Sequence, residues 1–364
     1  MANTVPARPG IEKISPYVGG ESALKGAARV IKLASNEGPF GPSAKAIAAI
    51  NDAATAMHRY PDGGAIHLRE AIGARFGLDP ARIVCGAGSD ELLTMLCHAY
   101  AGPGDEVLYC EHGFLIYPIA AYASGATPVK AAETDLKADV DALLDAVTDK
   151  TRIVFIANPN NPTGTYLTRA EMHRLRTGLP NDVLLVIDAA YAEFVNRNDY
   201  SAGVEFVDAG QNTVMTRTFS KLFALGGLRV GWGYFPSEIA DVLNRVRGPF
   251  NVSSVGQAAG IASLSDLEFQ DRVRLHTLEW IVKTQEALHE LGIPTTESVA
   301  NFVLARFDSQ ATAEACDAYL RDHGIIVRRM GSYGLADCLR ISIGAADEMQ
   351  AFLETMKSFM KGRA

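Results

Sequence analysis

Val183-Leu184-Leu185-Val186-Ile187-Asp188 is a run of five apolar residues closed by a carboxylate. An unbroken apolar run of this length suits a strand covered on both faces. Short apolar runs recur at 83–85, 106–110, 127–130, 153–157, 213–217 and 230–234, and helical stretches separate them. Ser43 caps a helix expected to reach about 58, and a second follows the exposed turn 59–64 and reaches about 76. Gly86-Ala87-Gly88-Ser89-Asp90 opens a helix to about 100, and another covers 115–123. The pattern predicts an α/β fold with a mostly parallel central sheet covered by helices. Ligands bind such sheets off the carboxyl ends of the strands.

Outward from this core the chain changes character twice. Residues 1–30 are rich in Gly, Pro and Ala and read as an irregular arm, and 33–42 is turn chemistry throughout. After about 235 a long helix at 265–291 is followed by strands at 301–307, 325–330 and 338–343 among helices at 311–323 and 346–361. The expected division is an arm at 1–30, a large ligand-binding domain at 31–245, and a smaller α+β domain at 246–364 that includes the linking helix. With 364 residues there is material for both.

A net charge of −8 argues against nucleic acid or a membrane surface as the main partner. The five cysteines form no C-x-x-C pair, which points to no metal site and suits a reducing cytoplasm. No apolar run approaches a signal-peptide core or a membrane span.

The chemistry gathers at strand ends. Asp188 follows five apolar residues, so its carboxylate needs a partner. It can cap the next helix, or it can hold a cationic ring nitrogen. Tyr191 lies within one turn of it and can face the same site or simply pack. Asn158-Pro159-Asn160-Asn161-Pro162-Thr163-Gly164 is a stiff turn after the run 153–157. Thr218-Phe219-Ser220-Lys221 leads through a Gly-rich turn to Arg229-Val230-Gly231. Hydroxyls, turn amides and an arginine suit a phosphate. No G-x-x-x-x-G-K-[ST] occurs, so Lys221 reads better as a covalent handle for a carbonyl cofactor that carries its own phosphate.

The ordered set Gly88-Ser89-Asp90-Glu91, Asn161-Pro162-Thr163-Gly164, Asp188 with Tyr191, Ser220-Lys221 and Arg229 resembles the fold-type I aminotransferases that use pyridoxal 5′-phosphate. The resemblance runs from Ser15-Pro16-Tyr17 to Leu339-Arg340-Ile341. It is nearest the histidinol-phosphate aminotransferase subgroup, through Asn36-Glu37-Gly38-Pro39, Arg59-Tyr60-Pro61-Asp62 and Ile325-Ile326-Val327-Arg328 as well. It implies that Lys221 carries the cofactor aldehyde and then acts as base at the substrate Cα. It places Asp188 on the ring nitrogen, Asn161 and Tyr191 on the ring oxygen, and Phe114 on the ring face. Thr218, Ser220, Arg229 and the backbone amides of Ser89 and Asp90 are implied as the phosphate cradle. Tyr17, Asn36, Arg328 and Arg340 are the implied substrate contacts, with Arg340 gripping the acid group. Tyr60 is implied to reach the cofactor phosphate of a neighbouring subunit, hence a homodimer with shared sites.

The implied reaction moves an amino group between L-histidinol phosphate and 2-oxoglutarate in histidine biosynthesis. Rivals are an aromatic amino-acid aminotransferase and a decarboxylase of a phosphorylated amino acid. A regulator with a fused helix-turn-helix is a third, but residues 1–30 are too short and too Gly/Pro-rich to hold one. Glu111-His112-Gly113-Phe114 departs from the Pro-Thr-Tyr of many relatives, and His112 can donate to substrate or serve structure alone.

Overall fold

The computed structural model describes residues 5–24, 29–210 and 212–363. Parts of the expected arm, residues 1–4 and 25–28, lie outside that set. Among the described residues the strands in chain order are β1 (Ile31–Leu33), β2 (Ile83–Gly86), β3 (Glu106–Cys110), β4 (Thr127–Ala131), β5 (Glu133–Thr134), β6 (Lys137–Ala138), β7 (Thr151–Ala157), β8 (Leu184–Asp188), β9 (Thr213–Thr218), β10 (Gly231–Tyr234), β11 (Phe302–Arg306), β12 (Ile325–Met330) and β13 (Leu335–Ser342).

Seven of them form one sheet in the order β2-β10-β9-β8-β7-β3-β4, and only β10 runs against the rest. The apolar runs are continuous because both faces are covered. Val154, Ile156, Leu185, Ile187 and Met215 feed one core cluster, while Ile153, Phe155, Leu184, Val186 and Val214 feed the other. Alternate side chains of a strand point to opposite faces, so neither parity can be polar. Each such side chain contributes about 1.5–3 kcal/mol on burial.

The second sheet has the order β1-β12-β13-β11. Its first strand comes from far upstream: Ile31, Lys32 and Leu33 pair in parallel with Ile325, Ile326 and Val327. The expected larger domain begins at residue 31, yet 31–33 hydrogen-bond in the C-terminal sheet. Ile31 and Leu33 bury there with Phe352 and Met356 of the helix Ala346–Lys361. In the other direction, the helix Ser254–Leu264 packs on Ala44–Ala54 and Ile66–Phe76 beside the first sheet.

Helix starts follow local chemistry. Ser43 accepts from the Ala46 amide at 3.2 Å, and its helix stops at Ala54 rather than near 58. Thr168 and Glu171 form a reciprocal capping box on the helix Arg169–Gly178. No helix among the described residues is long and apolar enough to cross a membrane.

Candidate active site

The strands of the larger sheet deliver the polar residues to one place. Ala157, Asp188 and Thr216 are register partners on β7, β8 and β9, and two residues further along β9 is Thr218. On the far side, Gly231 of β10 pairs with both Thr218 and Gly86. A Cβ at Gly231 would collide with the backbone of Gly88 and Ser89, so glycine lets the helix Ser89–Tyr100 start level with Thr218. Gly88 precedes that helix at φ 89° and offers it no side-chain cap, and a side chain there would strike the Arg229 guanidinium. The first turn of the helix therefore presents amides and a positive dipole end to the space beyond.

That space is a cavity of about 520 Å³, within the range of small-molecule sites. It is walled by Asp188, Tyr191, Asn161, Lys221, Thr218 and Ser220 from the first sheet's strand ends. Ser89, Asp90, Arg229 and Phe114 close one side, and Arg328 and Arg340 of the second sheet close the other. Arg328 and Arg340 are direct register partners on β12 and β13. Asn36 and Tyr17 complete the lining from the N-terminal segment.

Asp188 is buried, at 4% exposure. The Tyr117 hydroxyl donates to its Oδ2 at 3.0 Å, and Thr216 approaches Oδ1 at 3.5 Å. Burial pushes its carboxyl up to about 6, against the pull of the Tyr117 hydroxyl and the Ala190 amide. Lys221 donates weakly to the Ser35 carbonyl at 3.4 Å, and its Nζ lies 5.7 Å from the centre of the Tyr191 ring. Burial, helped by the charge of Arg340, lowers this amine to about 8. A lysine so placed has the neutral fraction near pH 7 that a nucleophile or base needs.

Around these two groups the frame is tight. Asn36 donates to the Tyr191 hydroxyl at 2.9 Å. Its own carbonyl accepts from Asn301 at 3.1 Å, and its side-chain oxygen accepts from Ser342 at 3.0 Å. Arg340 donates to Asn161 Oδ1 at 2.5 Å and to the Ala34 carbonyl at 3.2 Å. Its Nε is buried with no partner among the described residues. Arg229 donates to Asp90 Oδ1 at 2.6 Å, so the Asp90 side chain is engaged by the arginine. Arg328 donates to the Val18 carbonyl at 2.7 Å and ties the N-terminal segment to the rim.

Every residue expected at the site lines this cavity except Tyr60. Tyr60 is 83% exposed and stacks on Phe250 with ring centres 4.6 Å apart. His112 does not line the cavity: its Nδ1 meets Glu133 Oε2 at 2.8 Å, and its backbone amide donates to Oε1 at 3.1 Å. That pair ties the loop carrying Phe114 to β5. Sequence reasoning missed Tyr117 and Thr216 on Asp188, the Ser35 carbonyl at Lys221, and Tyr333 in the cavity wall. Each is an ordinary core or turn residue by type, and only the three-dimensional register singles it out.

A family model described as aminotransferase class I and II matches residues 28–356. The chain belongs to this family. A histidinol-phosphate aminotransferase from Paramagnetospirillum magneticum is 60% identical to this aminotransferase over 360 residues, covering 98% of this chain and 99% of its own. Another from Rhodospirillum rubrum is 57% identical, covering 98% and 97%. The crystal structure of histidinol-phosphate aminotransferase from Sinorhizobium meliloti in complex with pyridoxal-5′-phosphate superposes with a TM-score of 0.91 at 28% identity, covering 100% of this chain and 99% of that one. An aspartate aminotransferase from Thermus thermophilus, at 22% identity and a TM-score of 0.80, shares the fold.

The donor set of this aminotransferase fits pyridoxal phosphate. An uncapped helix start, two hydroxyls and a guanidinium suit a phosphate dianion. A buried carboxylate with a raised pKa gains from a cationic ring nitrogen. An aromatic wall at Phe114 suits a ring face, and a lysine lowered to about 8 suits an aldehyde.

Proposed function

We propose that this chain is a pyridoxal phosphate-dependent aminotransferase acting between L-histidinol phosphate and 2-oxoglutarate, giving imidazole acetol phosphate and glutamate, in histidine biosynthesis. The observation that carries the choice of amino donor is the adjacent pair Arg328 and Arg340 on the cavity wall, in a chain 60% identical to a histidinol-phosphate aminotransferase. Two guanidiniums suit a phosphate dianion, and one suffices for a carboxylate.

When bound, the cofactor supplies an aldehyde that takes up the amino group and a ring that withdraws electrons from the substrate Cα. Lys221 would hold it through its Nζ. Released, its Nζ takes the Cα proton of the amino donor, and an amine lowered to about 8 keeps a useful neutral fraction near pH 7. Asp188 keeps the ring nitrogen protonated, which requires the carboxylate to stay ionised. Asn161 and Tyr191 hold the ring oxygen, and Asn36 fixes the direction of the Tyr191 hydroxyl. Thr218, Ser220, Arg229 and the amides of Ser89 and Asp90 hold the phosphate. Arg340, braced by Asn161 and Ala34, grips the acid end of either substrate, with Arg328 and Tyr17 adding contacts for the larger charge of histidinol phosphate.

The test is half-transamination. The yellow pyridoxal phosphate form is mixed separately with histidinol phosphate, phenylalanine and glutamate, and loss of colour is followed. Histidinol phosphate is expected to react with the highest kcat/KM of the first two. A preference for phenylalanine would replace this reading with an aromatic aminotransferase. Arg340→Ala should lower kcat/KM for both donors by about two to three decades, the equivalent of roughly 2–4 kcal/mol of transition-state binding. Arg328→Gln should harm histidinol phosphate more than phenylalanine. Equal losses would remove Arg328 from phosphate recognition.

A homodimer is part of the same reading. Tyr60, Phe250, Met57 and Ile66 are large apolar side chains left exposed on one protomer, an arrangement that suits a covered face. Tyr60 is read as serving the phosphate of the other subunit's cofactor. Mixing inactive Lys221→Ala with inactive Tyr60→Ala under subunit exchange should restore part of the activity, since one site of each hybrid keeps both residues. No recovery after verified exchange would assign Tyr60 to its own subunit or to no site.

The seven-stranded sheet is taken as the core of the cofactor-binding unit, within 31–245, and the four-stranded sheet as that of the smaller unit. Strand β1 is assigned to the latter. A cytoplasmic setting belongs to this reading, in keeping with five free, buried thiols.

A further inference from the structure

Tyr117 holds none of the roles assigned above, yet it touches two residues that hold them. It is fully buried on the helix Ile116–Ser124. Its ring lies flat on Phe155 of β7, with centres 4.7 Å apart and planes 3° apart. Phe114, the expected ring-stacking residue, meets it edge-on at 6.0 Å. Its hydroxyl donates to Asp188 Oδ2 at 3.0 Å. Phenylalanine would make the same ring contacts, so packing explains the ring and leaves the hydroxyl to be explained.

Asp188 is poorly held otherwise. Thr216 stands at 3.5 Å, at the limit of a hydrogen bond, and the Ala190 amide also favours the charged form. The charged and titratable groups that face it are the Asp90 carboxylate, the Tyr191 and Tyr200 phenols and the Lys221 ammonium. Asp90 opposes ionisation of Asp188, whereas Tyr117 favours it.

We propose that Tyr117 is a positioning residue whose hydroxyl keeps the Asp188 carboxylate ionised and aimed at the ring nitrogen of the bound cofactor. The proposal rests on the cofactor reading and is independent of which amino donor is used. Losing a donor to a carboxylate makes protonation easier. A neutral Asp188 cannot pair with a cationic ring nitrogen, so cofactor affinity must fall from a higher pH downwards.

The test uses pyridoxamine phosphate, which takes the same pocket and cannot bond covalently to Lys221. Its Kd for the apoenzyme is measured from pH 5 to 8 in the parent, Tyr117→Phe, Asp188→Asn and the double variant. Tyr117→Phe is expected to raise Kd by about tenfold near pH 6, by less near pH 8, and to move the acid limb of the profile upwards. In the Asp188→Asn background the same change should alter Kd less than about twofold, because the hydroxyl acts through the carboxylate. Tyr117→His, which offers a donor from a shorter ring, should recover part of the affinity at pH 8. An equal loss in both backgrounds, or an unmoved pH profile, would overturn the proposal and leave Tyr117 as packing. Failure of the parent enzyme to bind pyridoxamine phosphate would instead overturn the cofactor reading, and the proposal with it.

Discussion

Alanine in place of Lys221 is expected to lower turnover by at least about four decades while leaving phosphate-held cofactor binding measurable. The lysine is the proposed base at the substrate Cα, and a positioned base alone is worth about 10²–10⁴ in rate. It is also the proposed covalent anchor, so its loss removes both the anchor and the release step that makes the base available. Borohydride reduction of the loaded parent enzyme followed by peptide mapping should find the label on Lys221. A label on another lysine, or none, refutes the assignment. The pH dependence follows from burial. Only the neutral amine attacks an aldehyde, and this amine titrates at about 8. Covalent capture of pyridoxal phosphate by the apoenzyme should therefore speed up as pH rises and level off above about 8. Capture that keeps accelerating to pH 10.5 would mean that the lysine is not desolvated as the cavity implies.

Asp188→Ala should be inactive or barely active even when saturated with cofactor. Breaking a buried charge pair costs roughly 3–5 kcal/mol, which in a transition state is about two to four decades of rate. Asp188→Glu keeps the charge and should do better. Near-normal turnover of the alanine variant would remove the electron-sink role. The same carboxyl makes a prediction for the apoprotein. Its folded pKa of about 6 lies above the ordinary 3.8, so the folded chain binds more protons than the unfolded chain between those values. The stability it contributes is full below about pH 4 and is lost as pH rises through 6. The melting temperature of the apoprotein should carry this slope, and Asp188→Asn should flatten it.

Much of this site was legible because strand ends are legible. Asp188 after five apolar residues, Asn161 after the run 153–157, and Ser220-Lys221 after 213–217 all sit where a parallel sheet presents its carboxyl ends. The hydroxyl partners of Asp188 were not legible. Tyr117 comes from a helix 71 positions away and Thr216 from the neighbouring strand, and neither relation follows from spacing. The second sheet was read in three strands of four. Ile31-Lys32-Leu33 is short and flanked by turn chemistry, so nothing local says that it pairs with β12. The helix Ser254–Leu264 is built mostly of small residues with no polar face, which hides its period, although it packs against the amphipathic helix Ala44–Ala54 and the helix Ile66–Phe76. The helix Arg169–Gly178 was readable and missed, since Thr168-x-x-Glu171 is a start signal in plain view. The paired arginines were seen as candidates, but their adjacency needed the β12–β13 register.

The placement of β1 has a consequence for how the chain is made. Asn36, three residues beyond that strand, gives its backbone amide to Ser342 across 306 positions of sequence. Synthesis runs from the N-terminus at about 5–20 residues per second, so for many seconds Ile31, Leu33 and Asn36 are outside the ribosome with no partner strand in existence. Until β12 and β13 emerge, Asn36 lacks Ser342, Asn161 lacks the guanidinium of Arg340, and the Tyr191 hydroxyl lacks a fixed donor. The seven-stranded sheet, complete by residue 234, can form ahead of them. Such widely separated pairings are slow to close, so the strand ends that carry Thr218, Ser220 and Lys221 can be in place before the second sheet brings Arg328 and Arg340. On the proposed roles, the chain is expected to gather its cofactor-holding residues before the second sheet brings Arg328 and Arg340 to the cavity.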